Sequence, residues 1–176
     1  MKTSLRVTIV FAVLFLTFAA RSAHAQMPNP YGQITLDVAR KVADAAIAEG
    51  RKNGWNVAAA VVDPAGELVF FERMDNTQSA SIVIAQEKAR TAAKFKRPSK
   101  ALEDALVGGR QAILGLPGAT PLEGGIPLII DGKIVGAIGV SGVTSPQDGQ
   151  CAHAGADTLG KQTAPPARQP SPPPKK

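Results

Sequence analysis

The sequence is short of the groups from which most catalytic and metal centres are built. It has one cysteine, Cys151, and two histidines among 176 residues. An internal disulfide is therefore excluded, and no cysteine–histidine zinc cluster can be assembled. No local motif suggests a Ser-His-Asp triad. Aromatic residues make up 5% of the chain, with Trp55 and Tyr31 the only tryptophan and tyrosine. Long apolar runs are also scarce. Val7 to Ala20 is one, but at about 14 residues it falls short of the ~18 to 20 that span a bilayer.

That run follows Lys2 and Arg6, is stopped by Arg21, and precedes the small-x-small pattern Ala23-His24-Ala25. This three-part layout is a secretory signal peptide over residues 1–25. Its removal leaves 151 residues and predicts a periplasmic or secreted protein whose only histidine is His153. At the other end, residues 161–176 read KQTAPPARQPSPPPKK. That composition predicts a disordered, proline-rich basic tail. Residues 26–160 remain as one domain with room for a core.

Charge has the same uneven distribution. The chain carries 20 basic and 14 acidic residues, a net of +6. Three basic residues lie in the signal segment and four in the tail (Lys161, Arg168, Lys175, Lys176). The 13 that remain face all 14 acidic residues, a net of −1. The basic excess belongs to the ends, so nucleic acid is not indicated as a partner. Cys151 reads as a small buried apolar residue, with intermolecular pairing or a reactive thiol as the alternative.

Thr35 is placed to cap a first helix, with Asp37 in its first turn. Leu36, Ala39, Val42, Ala43, Ala46 and Ile47 follow at helical spacing, and Gly50 and Gly54 bracket the end. NVAAAVVDPAGELVFFERM predicts a hairpin around a type I turn at Asp63-Pro64-Ala65-Gly66. A second helix has an alanine face (Ala85, Ala89, Ala92, Ala93) and stops at Pro98. A third starts at Ser99 and is expected to hold Leu102, Leu106, Ile113 and Leu114. A loop over 115–125, a second hairpin and a final helix over 145–160 complete the order αββααββα. In the second hairpin, Asp131-Gly132 is a favoured two-residue turn. It predicts the pairs Ile130–Lys133, Leu128–Val135, Pro127–Gly136 and Ile126–Ala137. Both faces of that ribbon are apolar, so neither is left to water. Gly136, Gly139 and Gly142 signal close approach by a helix, a second subunit or a ligand.

GGIPLIIDGKIVGAIGVSG followed by QDGQCAHAGAD resembles the signature of the GlcG/HbpS family of haem-binding proteins, which includes the C-terminal domain of PduO-type proteins. AAVVDPAGELVFFERMD at 59–75, EKARTAAKFKRPS at 87–99 and LPGATPLEGG at 116–125 extend the likeness, in order, from about Ile34 to Leu159. The resemblance implies a single α/β domain of the α+β type, an antiparallel sheet flanked by helices. It implies homo-oligomers with ligand pockets near subunit contacts. Exported relatives bind haem; some degrade it or sequester iron, and others sense redox state with a membrane partner. Cytoplasmic relatives are associated with glycolate or corrinoid metabolism.

Haem needs an apolar slot, cations for its propionates and usually an axial ligand. Arg90, Lys94 and Arg97 are spaced as one basic helical stripe that would anchor propionates, against the alternative of a solvated helix face. Phe95 could cover a ring. Thr120 and Glu123 offer oxygen donors in the loop, and Gly124 and Gly125 complete the expected haem-binding set. For the iron, His153 and Thr120 are the candidate ligands, His153 otherwise being a surface or capping residue near a helix start. Haem is the one cofactor expected. Three readings follow: an exported protein that scavenges, buffers or senses haem and iron; an enzyme acting on haem, a small organic acid or a corrinoid; and a signalling module for a membrane partner. No positioned nucleophile or carboxylate pair supports the enzyme.

Overall fold

The computed structural model describes residues 32–160; the signal segment, Tyr31 and the proline-rich tail lie outside the described residues. Helix α1 (Leu36–Asn53) begins as its sequence dictates, with Thr35 Oγ1 accepting the Val38 N–H at 3.4 Å. It runs through Gly50 and ends at Gly54, whose φ of +71° lets its N–H bond back to Arg51 and Gly50 carbonyls. Strands β1 (Ala58–Val62) and β2 (Leu68–Arg73) form the first hairpin. Its turn is closed by the Gly66 N–H on the Asp63 carbonyl, while Asp63 Oδ1 accepts from Ala65 and Glu67.

Helices α2 (Ser81–Phe95) and α3 (Lys100–Val107), a short 3-10 turn (Gln111–Gly115), strands β3 (Gly125–Ile130) and β4 (Lys133–Ser141), helix α4 (Ser145–Ala156) and a 3-10 turn (Asp157–Leu159) follow. The expected order αββααββα is what the chain forms, as a four-stranded antiparallel sheet ordered β2-β1-β4-β3.

Two expectations need correction. The third helix stops at Val107, because Gly108 and then Gly109 (φ +93°) break it. Ile113 and Leu114 belong to the separate 3-10 turn. The β3–β4 turn does form at Asp131-Gly132, both with positive φ, and pairs Ile130 with Lys133. Beyond it a bulge shifts the register by one. Leu128 then lies opposite Gly136, Pro127 opposite Ala137, and Ile126 opposite Ile138.

That shift separates side chains by size more sharply than the uninterrupted ladder would. Ile126, Leu128, Ile138 and Val140 share one face with Val61 and pack under α1 and α4. Burial of a side chain such as Leu128, wholly enclosed, contributes about 1.5–3 kcal/mol. On the opposite face Ala58, Ala60, Val62 and Ala137 meet the alanines of α2. Gly139 is the closest approach: a Cβ there would lie 2.5 Å from the Ala89 amide nitrogen and nearer still to the Ala85 carbonyl oxygen. Gly125 likewise lies against the Lys88 carbonyl, and Gly142 against the Asn56 carbonyl. Among the three approaches the glycines allowed, the chain's own backbone fills these positions.

Candidate functional site

Helix α2 presents different residues to different neighbours. Arg90 donates from Nε to the Gly66 carbonyl at 3.3 Å and pairs with Glu87 through one terminal nitrogen. Lys94 lies over the same turn, since a Cβ at Gly66 would come within 2.8 Å of its Cε. Arg90 is thus bonded to the β1–β2 turn, and the Lys94 stem packs along it with the residue exposed. Arg97 does not continue their stripe, because α2 ends at Phe95 and Lys96 takes a left-handed conformation (φ +55°). Pro98 disfavours helix at the residue before it.

Thr91, one residue round from Arg90, faces the 116–125 loop. Its Oγ1 accepts the Thr120 N–H at 2.9 Å and donates to the Gly118 carbonyl at 3.4 Å. Phe95, four residues on and so on the same side of the helix, is half-buried. Ser99, at the start of α3, ties down the far end of the loop. Its hydroxyl donates to the Leu122 carbonyl at 2.6 Å and accepts the Gly125 N–H at 2.9 Å. Glu123 donates its N–H to Glu103 and sets its carboxylate against Gly149 of α4, with Lys100 at 3.7 Å. The structure therefore brings Thr120, Glu123, Gly124 and Gly125 together in one segment, on the side of α2 that carries Phe95, and leaves Arg90 and Lys94 elsewhere.

Beneath Gly124 lies a charge pair that local reading missed. Lys88 of α2 and Asp148 of α4 meet at 2.7 Å with both side chains almost wholly buried. Lys88 Nζ also donates to the Val140 carbonyl at 3.1 Å, and Asp148 Oδ1 accepts from the Val143 amide. The helices come from opposite faces of the sheet, so the pair joins the two layers round the end of β4. Burial pushes the Asp148 carboxyl above its ordinary range, and the charge and hydrogen bond of Lys88 pull it back. Gly124 (φ +125°) arches so closely over the pair that a Cβ would stand 3.0 Å from Lys88 Nζ. The clue was periodic: Lys88 falls in the Ala85–Ala89–Ala92 stripe, and Asp148 precedes Cys151, Ala152 and Gly155 at helical spacing.

His153 sits in the last turn of α4, not near its start, and is exposed. It is one turn beyond Gly149, hence about 6 Å along the helix from the point that Glu123 touches. Cys151 is fully enclosed. Burial first, then Asp148 and Glu49, pushes its thiol up to about 11, so it is no nucleophile near neutrality. Among the described residues no three His, Cys, Asp or Glu side chains converge to hold a metal ion, and no helix is long and apolar enough to cross a membrane.

The surface around the loop is unusually apolar. Val107, Leu114, Leu116 and Leu122 are four of the eight exposed large hydrophobic residues described, and Val107 is 83% exposed. Half of this exposed apolar set thus falls within residues 107–122, the segment that also contains the half-buried Thr120. Scattered exposed apolar residues need no explanation; a cluster of them beside polar groups marks a binding surface.

The family model described as haem degrading protein HbpS-like matches residues 34–157. The chain belongs to the HbpS-like family. GlcG of Escherichia coli K12 is 44% identical over 108 residues, covering 59% of this chain and 81% of GlcG. A doubly substituted HbpS from Streptomyces reticuli shares 36% identity with a TM-score of 0.68, over 73% of this chain and 88% of that one. The PduOC–haem complex superposes with a TM-score of 0.66 at 23% identity, over 73% of this chain and 96% of that one. At that identity it supports the fold alone. The expected family and its α+β fold are both confirmed.

Proposed function

We propose that this HbpS-like chain binds haem on the segment from Val107 to Gly125, and that it is exported to scavenge, buffer or sense haem. The carrying observation is that four exposed apolar side chains fall within residues 107–122, a segment that includes Thr120 and whose loop is held to α2 and α3 by Thr91 and Ser99. Those tethers fix the loop without using the threonine hydroxyl, whose backbone N–H makes the bond to Thr91. Leu116 and Leu122 supply apolar contact, Phe95 borders the same side of α2, and Glu123 and the glycines set the loop's close approach to the body. Haem would supply the iron chemistry; Thr120, or His153 one turn from the Glu123 contact, would supply its protein ligand. An oxygen ligand holds ferric haem weakly and exchangeably, which suits uptake and release. A second copy or a membrane partner would meet the chain through the exposed apolar residues of 107–122.

Hemin titration tests it. Saturable binding at micromolar hemin with a Soret shift, weakened by Thr120→Val and Leu122→Ser, is expected. Absence of saturable binding sinks the reading. The family's description favours a second one, haem breakdown. Loss of the haem spectrum with peroxide or reductant, with iron release above that of free hemin, would select it. Export is tested by the mass of the mature protein, which should start at Gln26.

A further inference from the structure

We infer that the α2–α3 corner, Lys96 and Arg97, is the anion-recognition end of this surface and selects ligands that carry carboxylates beside an apolar body. The inference rests on the haem reading above and names the groups that would hold the propionates. Of the four cations between Arg90 and Arg97, Arg90 is bonded to the Gly66 carbonyl and to Glu87, and the Lys94 stem lies along the β1–β2 turn on the side away from the loop's tethers. Lys96 and Arg97 are exposed, and no ion pair engages either among the described residues. Their position is built by the fold. The left-handed residue at Lys96 ends the helix, and Arg97 Nε donates to the Phe95 carbonyl at 3.2 Å, which orients the guanidinium. Two residues later Ser99 is bonded to Leu122 and Gly125. The corner is thereby tied directly to the apolar loop, with Phe95 between helix and corner.

Charge points the same way. The segment from Val107 to Gly125 carries two charged residues, the exposed Arg110 before the loop and Glu123 within it, and Glu123 lies against Gly149 near Lys100 and Glu103. At the Glu123 end the charges are balanced by Lys100, so a carboxylate approaching the loop finds its uncompensated cations at Lys96–Arg97. An amphipathic ring with its carboxylates along one edge would be oriented by this asymmetry. Guanidinium–carboxylate contacts are charge-assisted and directional, so replacing both cations should weaken binding by roughly tenfold or more.

The test compares hemin with hemin dimethyl ester, which keeps the ring and removes both negative charges. Wild-type protein should bind hemin more tightly than the ester. Lys96→Ala/Arg97→Ala should lose that preference, with ester affinity changed less than about twofold. Arg90→Ala/Lys94→Ala should keep it. If wild type binds hemin and the ester equally, or if the Arg90/Lys94 variant loses the preference as fully as the Lys96/Arg97 variant, the corner assignment is overturned while haem binding stands. If wild type binds neither compound, the haem reading itself falls, and this inference with it.

Discussion

The two faces of the sheet solve one problem with opposite materials. Under α1 and α4 the contact is made of large aliphatics, Val42, Ile47, Ile126, Leu128 and Ile138. Under α2 it is made of alanine against alanine and glycine, with helix backbone set directly on Gly139 and Gly125. A face of branched side chains can relax round a lost methyl group. A face where backbone meets backbone has nothing flexible to move. The 116–125 loop is attached beside the second, stiffer layer through Thr91 of α2 and Ser99, so its shape inherits the precision of that contact.

The largest effect should come from breaking the stiff face. Gly139→Val places side-chain atoms inside the backbone of α2 and should abolish soluble folded protein, read by circular dichroism and gel filtration. Next is the link between the layers. Lys88→Met leaves a buried carboxylate without its cation and should cost about 3–5 kcal/mol in urea unfolding. Lys88→Met/Asp148→Leu should recover most of that loss, since a buried pair replaced by apolar groups is often neutral. If the double variant is as unstable as the single, the pair supplies net stability and the accounting here is wrong. On the yielding face Ile138→Val should cost only about 0.5–1.5 kcal/mol. A larger loss would mean that the two faces are equally rigid. The smallest perturbation is chemical. Enclosed and held protonated, Cys151 should react with a thiol reagent at pH 8 only as fast as the protein opens. Immediate labelling of native protein would show that the α4 layer is looser than drawn.

How much of this was legible depended on whether the signal was local. Caps and turns are local: Thr35, Gly54, Asp63-Pro64-Ala65-Gly66 and Asp131-Gly132 each mark an end by conformational preference, and all were placed correctly. The bulge near Val135 was not, because nothing in IDGKIV distinguishes an uninterrupted ladder from one with an extra residue. Helix α3 was drawn too long because Leu102, Leu106 and Ile113 keep helical spacing across Gly108-Gly109. Arg97 leaves the line of Arg90 and Lys94 for a related reason: helical spacing runs on past Phe95, whereas the chain turns at Lys96 before Pro98. Lys88 and Asp148 lie 60 residues apart, and only the fold brings them together. Of the site residues proposed from sequence, the loop members Thr120, Glu123, Gly124 and Gly125 assemble, because one continuous loop carries them. For Arg90 and Lys94, helical spacing says that they share a side, not that this side meets the β1–β2 turn at Gly66.

Pro127 has a consequence for the company this molecule keeps. It sits in the outermost strand, where it has no N–H to offer, and the N–H and carbonyl of nearby Gly125 are already taken by Ser99. A stray extended peptide therefore finds little to zip onto along this border. Whatever docks there must recognise shape and side-chain chemistry, which guards a sticky little domain against fibre-like growth from that rim.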